Sequence, residues 1–405
     1  MSHAESGRRP LVPSVAPRWE RSLTRWAELI CCGRLTLVFP SGRERHFTGA
    51  HSGPMARICL KNWRPARRLL SSGALGFARS FVEADWDTPD LGAVLELAVA
   101  NEKVWRPVTV AKPLRAAFAF LQHRLRRNSR AGSRRNIAFH YDLGNDFYRL
   151  WLDETMTYSS AVFERDAMSL ADAQREKYRR ILDELNVGPD DHVLEIGCGW
   201  GGFAETAIRE RGCRVTGLTL SREQAFFARD RLRAAGLGER ADIRLEDYRD
   251  CHGTFTKIVS IEMFEAVGEE NWPIYFKRLA SLLGSGGKAL IQTITIAEDR
   301  FYQYRRNADF IQTYIFPGGM LPSVSTFVGG ARAAGLKVNR QFHFGGDYDR
   351  TLVAWDREFR SNWPAVMKLG FDDRFFRMWH YYLQYCAVGF RTGRIDVVQF
   401  KLSVP

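Results

Sequence analysis

The stretch VLEIGCGWGGF, Val193 to Phe203, constrains the fold of this chain more than any other. A run of apolar and β-branched residues ends in Glu195, and Gly197, Gly199, Gly201 and Gly202 then crowd the turn into the next segment. Glycines at that spacing let the backbone approach a ligand that a Cβ would hold off, so the stretch reads as strand, ligand-cradling turn and helix. Taken alone, such a turn serves NAD, FAD or S-adenosylmethionine. A dinucleotide enzyme usually ends its second strand on an Asp or Glu for the ribose. This chain has Gly217-Leu218-Thr219-Leu220-Ser221-Arg222-Glu223-Gln224 at that place.

The pattern Glu195-x-Gly197-x-Gly199 has instead the shape of a methyltransferase first motif. Around it, strands and helices alternate. The helix LADAQREKYRRILDELN leads to the strand DHVLEIGCG, then come helix GGFAETAIRER, strand RVTGLTL, helix SREQAFFARDRLRAAG, strands ADIRLED and KIVSIEM, helix WPIYFKRLASLL and strand GKALIQTITI. Strands and helices at this interval predict an α/β fold with a parallel, doubly wound sheet. Upstream, RLTLVF, RERHFTG and MARICL read as short strands, followed by helical WRPARRLLSSG and by LGFARSFVEADWDTPDLGAVLELAVAN, helical on either side of a turn. At 405 residues the chain exceeds one small core. The predicted organisation is a disordered N-terminus over 1–22, an α+β domain over 23–115, a basic helix and linker over 116–135 and a catalytic domain over 136–405.

Charge and cysteine usage narrow the surroundings. A formal net charge of +13 attracts polyanions, whether nucleic acid or anionic lipid. Six of the arginines fall between Arg124 and Arg135, which reads either as a solvated helix face with a linker or as a cationic strip for an anionic membrane surface. The seven cysteines are scattered without metal-ligand spacing, which predicts reduced thiols, no zinc and no disulfide framework. The best apolar run, near Ala27 to Phe39, is interrupted by Glu28 and Arg34, and the N-terminal stretch has no signal-peptide core. The expectation is a cytoplasmic protein that meets the inner face of the cell membrane peripherally and reversibly.

Several motifs in order carry a resemblance. HYDLGNDFYRLWLDETMTYSSAVF, LEIGCGWGG, GLTLSREQ, EMFEAVG, YIFPGGMLPS, GDYDRTLVAW and RFFRMWHYYLQYCAVGFR resemble the cyclopropane-fatty-acyl-phospholipid synthases, a family that includes the mycolic acid cyclopropane synthases. The likeness runs from about Ile137 to Lys401, and Gly33 to Asn101 is similar to the lipid-associated N-terminal region of the longer, phospholipid-acting members. It implies a Rossmann-like class I methyltransferase sheet beside a smaller N-terminal α+β domain. It further implies one-carbon transfer from S-adenosylmethionine to the cis double bond of an unsaturated phospholipid acyl chain, giving a cyclopropane fatty acid.

By the same resemblance Tyr158 and Ser159 cover the methionine part of the cofactor, Gly197 and Gly199 offer backbone contacts, Thr219, Leu220 and Gln224 hold ribose and adenine, and Tyr248 walls the adenine. The family holds a bicarbonate that removes a proton from the transferred methyl. Of its binders this chain keeps Glu265, the backbone of Ile294, and Tyr348, whereas Ser160 stands for a Cys (YSS), Gln292 for a His (IQT) and Ala266 replaces the His of FEHVG. Ser and Gln still hydrogen-bond an oxyanion or water, but the titratable imidazole is gone. The departures therefore touch the product, since loss of the proton elsewhere or a prior hydride shift gives a methylene- or methyl-branched chain.

The chemistry needs an aligned alkene, excluded water and aromatic walls for a cation. Tyr158, Phe163, Phe264, Tyr314 and Phe316 are candidates for those walls, each also readable as plain core. The two aromatic- and Arg-rich C-terminal segments either cap an acyl tunnel or cover the sheet. His140 reads as a structural histidine. A nucleic-acid methyltransferase is disfavoured because Ile261-Glu262-Met263-Phe264-Glu265-Ala266 is not the Pro-Pro-aromatic loop that grips a flipped base. A non-catalytic lipid binder is disfavoured by the intact glycine turn and Glu265. Nucleic acid is therefore not an expected partner, and a homo-oligomer is left open.

Overall fold

The computed structural model describes residues 18–109 and 143–404. The basic linker, His140 and the first seventeen residues lie outside these described residues. The chain divides into two compact units, Met1–Ala111 and Lys112–Pro405.

In the first unit, β1 (Cys32–Val38), β2 (Glu44–Thr48), β3 (His51–Leu60) and the short β4 (Trp86–Asp87) form a sheet of order β2-β1-β3-β4, with β1 and β3 parallel. Alternation along β1 sends Leu35 and Leu37 into the core, as a half-buried strand requires. Among the described residues four helices accompany the sheet: α1 (Arg18–Ala27), α2 (Arg64–Val82), α3 (Leu91–Ala100) and α4 (Glu102–Thr109). Helix α1 begins inside the stretch expected to be disordered. Its Leu23, Trp26 and Ala27 are buried, and Trp26 stacks on Trp105 with ring centroids 4.3 Å apart, so two aromatic residues order a segment that its Arg/Pro/Ser neighbours had marked as polar. Helix α2 joins two segments read separately and kinks at Gly73, whose φ of 60° only glycine adopts at low cost.

The second unit carries a seven-stranded sheet. Its strands are β5 (His192–Ile196), β6 (Arg214–Thr219), β7 (Ala241–Leu245), β8 (Phe255–Ile261), β9 (Leu283–Ile296), β10 (Lys337–His343) and β11 (Ile395–Ser403), in the order β10-β11-β9-β8-β5-β6-β7. The five strands from β9 to β7 are parallel, as expected of a doubly wound sheet. Its far edge departs from that expectation: β11 pairs antiparallel with both β9 and β10. KVNRQFH is mostly exposed and polar, so β10 carries little strand signal of its own and exists because it pairs with β11.

Helices α5 (Asn145–Arg149), α6 (Leu170–Leu185), α7 (Gly202–Arg211), α8 (Arg222–Ala234) and α9 (Trp272–Leu282) precede or connect these strands, and α10 (Glu298–Tyr304), α11 (Phe310–Tyr314) and α12 (Val324–Ala333) follow β9. Helices α13 (Gly345–Ser361), α14 (Trp363–Lys368) and α15 (Asp373–Arg391) form the segment between β10 and β11. Ser169, Ser221 and Ser323 cap α6, α8 and α12 by accepting a backbone N–H two or three residues into the helix. Strand order reverses around β5, with β8 on one side and β6 on the other. Doubly wound sheets bind ligands at such a switch point, outside the carboxyl ends of the strands.

Candidate active site

At that switch point lies a cavity of about 160 Å³. The glycine turn after β5 forms one side. Gly197 and Gly199 have φ of 88° and 51°, and a Cβ at Gly199 would meet no atom within 4 Å. The backbone there faces open space, as a cradle for a ligand requires. Glu195 is buried with one carboxylate oxygen, Oε2, unpartnered among the described residues, and burial holds its pKa well above the ordinary value. An unpaired buried acceptor on a cavity wall suits a ribose hydroxyl.

Tyr158, Ser159, Gly197, Gly199, Thr219, Leu220, Gln224 and Tyr248, assigned to the cofactor, line this one cavity together with Glu195 of the first motif. Thr219 and Gln224 are tied together, the threonine hydroxyl donating to the Gln224 carbonyl oxygen at 2.9 Å. Gly217, at the level of Glu195 on the neighbouring strand, has no room for a Cβ, which would lie 2.8 Å from Ile243 and 2.9 Å from Cys198. Tyr248 presents a half-buried ring packed 5.4 Å from that of Tyr275, and burial pushes its phenol up to about 12. Beside it Asp247 also lines the cavity and pairs with Arg249 at 2.6 Å; this acid was missed because it falls two residues past the end of β7.

The opposite wall comes from residues 156–159 and from α6. Ser159 accepts at Oγ from Lys177 Nζ (2.6 Å) and at its carbonyl from Gln174 Nε2 (2.8 Å). Burial depresses Lys177 to about 7, against the pull of Glu262, Asp153 and Glu195. The Tyr158 ring sits 5.3 Å from that of Trp355 on α13 and 5.5 Å from Trp151, and its hydroxyl meets Tyr382 of α15 at 2.7 Å. The C-terminal helices thus contribute aromatic rings beside the cavity as well as covering the fold. Phe264, by contrast, is plain core, packed among Trp272, Tyr275, Phe276 and Phe327. Phe163 lies under the Arg350 guanidinium at 4.0 Å.

Three of the five residues expected round an oxyanion, Ser160, Gln292 and Tyr348, converge on a side chain that the motif reading passed over. Glu262, directly after β8, lines the cavity. Its Oε1 accepts from the Ser160 backbone N–H (2.8 Å) and from Gln292 Nε2 (2.7 Å), and its Oε2 accepts from the Tyr348 hydroxyl (2.5 Å). Ser160 takes part through its backbone; its hydroxyl turns away to the Ala161 carbonyl at 3.0 Å. The Gln292 amide is oriented by Gln399, which donates to its oxygen at 3.0 Å and is itself approached by Arg180 at 3.3 Å. Glu265 accepts from the Ile294 N–H at 2.5 Å, and its Oε2 has no partner among the described residues. Burial and the charge of Glu262 push Glu265 up to about 8. Glu262 is also raised by burial, opposed by its hydrogen bonds from Tyr348, Ser160 and Gln292 and by Lys177.

Two non-glycine residues on the cavity wall, Met156 and Glu262, have positive φ of 53° and 52°. For an L-residue this conformation costs about 1–2 kcal/mol, and such strain collects at functional sites. The sequence signal for Glu262 was present: an acid at the carboxyl end of the strand next to β5.

Comparison with known proteins places this arrangement. Residues 128–400 match the family model described as mycolic acid cyclopropane synthetase. The chain belongs to this family. It is 41% identical to the tuberculostearic acid methyltransferase UfaA1 of Mycobacterium tuberculosis, over 98% of this chain and 94% of that one. It is 36% identical to the cyclopropane-fatty-acyl-phospholipid synthase of Escherichia coli, over 86% and 88%. Among solved structures, mycolic acid cyclopropane synthase CmaA1 complexed with SAH and CTAB superposes with a TM-score of 0.63 at 34% identity, covering 67% of this chain and 98% of that one. This chain is accordingly an S-adenosylmethionine-dependent methyltransferase of a lipid-modifying family with the class I methyltransferase fold, and S-adenosylmethionine is its methyl donor.

Proposed function

We propose that the protein transfers the methyl group of S-adenosylmethionine to the cis double bond of an unsaturated acyl chain on a membrane phospholipid and releases a methylene-branched chain. The observation that carries this reading is the Glu262 carboxylate, held by three donors on the same cavity wall that carries the Tyr158 ring. When bound, S-adenosylmethionine supplies an electrophilic methyl. An alkene attacks it weakly, so the protein must hold the two in line and keep water out. Methylation of one olefinic carbon leaves the other cationic. Tyr158, backed by Trp355 and Trp151, offers a π face to that charge, and the carboxylates offer negative charge and a proton acceptor.

The cofactor residues keep the roles the resemblance implied: Tyr158 and Ser159 at the methionine end, Gly197, Gly199 and Glu195 beneath, Thr219, Leu220, Gln224 and Tyr248 round ribose and adenine. Glu265, Ile294, Gln292, Ser160 and Tyr348 belong to the proton-handling end. Phospholipid as the acyl carrier is supported by the Escherichia coli relative, named for that substrate, whose alignment over 86% of this chain reaches into the first unit. Among the described residues no helix is long and apolar enough to cross a membrane. A peripheral position on the anionic inner leaflet, held by the Arg124–Arg135 stretch, fits the net charge of +13.

A branch rather than a ring is supported by the relative named for methyl transfer, which aligns over 98% of the chain, and by Glu262, Gln292 and Ser160. A 1,2-hydride shift before proton loss gives the methylene chain; ring closure is the second reading, favoured by the family's name. The two products are isomers, so nuclear magnetic resonance of lipid from expressing cells decides. Two alkene protons on one terminal carbon are expected. Ring protons upfield of tetramethylsilane establish the second reading, and unmodified acyl chains refute both.

A further inference from the structure

Glu262 stands apart from the other acids of the cavity wall. Its partly buried side chain lines the cofactor cavity and is gripped by three donors that come from three separate parts of the chain. It sits in a backbone conformation that glycine adopts freely and glutamate does not. These donors are the groups that the resemblance assigned to a bound oxyanion, so the side chain occupies, covalently, the position in which Ser160 N–H, Gln292 and Tyr348 would hold a free one.

Resting on the proposed methylation, we propose that Glu262 is the catalytic base, taking the proton from the methylated acyl cation so that the reaction needs no bound bicarbonate. The alkene π pair forms the new C–CH₃ bond while the S–CH₃ bond breaks with its electron pair left on sulfur. After a hydride moves from the methylated carbon to its cationic neighbour, a C–H bond of the new methyl breaks. Its electron pair forms the methylene C=C, and the proton goes to Glu262. Oε1 already accepts two hydrogen bonds and Oε2 only one, so Oε2 keeps a lone pair free to receive it. A carboxylate kept from water is a stronger base than an exposed one, in line with the upward shift that burial imposes.

The test uses full-length protein, S-adenosylmethionine and vesicles of monounsaturated phosphatidylglycerol, in buffer freed of dissolved carbonate. Wild-type activity should be unchanged by that removal. Glu262→Gly, which relieves the positive φ, should bind S-adenosylmethionine within about threefold of wild type by calorimetry yet turn over about 10²–10⁴-fold more slowly, the range for loss of a general base. Added bicarbonate or formate should restore at least about tenfold of that loss, as a free anion fills the vacated space. Glu262→Gln, equally large but not basic, should be slow and refractory to both anions. The inference is overturned by a Glu262→Gly or Glu262→Gln enzyme within a few-fold of wild type, by a slow Glu262→Gly that neither anion rescues, or by a wild type that stops without carbonate and restarts with it. A wild type that methylates no vesicle lipid at all refutes the proposed function and this inference together, which an active wild type beside an equally active variant does not.

Discussion

Glu265→Gln should change how stability depends on pH, with a sign fixed by burial. In the folded protein Glu265 holds its proton up to about pH 8, against an ordinary value of 4.5. Between those values the folded state binds a proton that the unfolded state has released, so wild-type stability falls as pH rises through this window and is fully present only below it. Each pH unit corresponds to about 1.36 kcal/mol, so from pH 5 to 7 the group removes up to about 2.7 kcal/mol. The interval stays below the window of Lys177, which is depressed to about 7 and contributes stability that instead grows between there and its ordinary 10.5. Glutamine keeps the acceptor for the Ile294 N–H and has nothing to titrate. Urea unfolding of the full chain at pH 5, 6 and 7 should show wild type losing stability steeply and the variant losing clearly less. Parallel plots for the two proteins would refute the claim that folded Glu265 keeps its proton across this range.

Other consequences follow from the same geometry. Gly199→Val places a β-branched side chain at a φ of 51° facing the cavity and should abolish S-adenosylmethionine binding by calorimetry; unchanged affinity removes the cofactor placement. In kinetic assays Glu265→Gln should cut turnover far more than cofactor affinity, and equal losses in both would assign it to binding. Tyr382→Phe deletes the 2.7 Å contact with Tyr158 and should cost about 0.5–1.5 kcal/mol of stability in denaturant titrations, with a glutamate-to-glutamine-like collapse of turnover as the contrary result. Vesicle binding should weaken with added salt and with neutral lipid; salt-insensitive binding excludes an electrostatic dock through the Arg124–Arg135 stretch.

Much of the catalytic unit was legible because its signals are local. Glycines between an apolar strand and a helix specify a turn wherever they stand, and the missing acid after β6 is read off a few consecutive residues. The α1 helix was not legible, since it depends on Trp26 finding Trp105. Neither was β10, whose polar sequence becomes a strand only through its partner β11.

The sequence by itself determined the fold class and the kind of cofactor, because periodicity and turn chemistry act over a dozen residues at most. Only the tertiary structure decided what Glu262 does. Its three donors lie 102, 30 and 86 positions away, and no local pattern distinguishes an acid at a strand end that faces solvent from one closed into a cavity. Convergence of distant donors holds this glutamate in a strained backbone conformation on the cavity wall, and that arrangement exists only once the sheet and the C-terminal helices have come together.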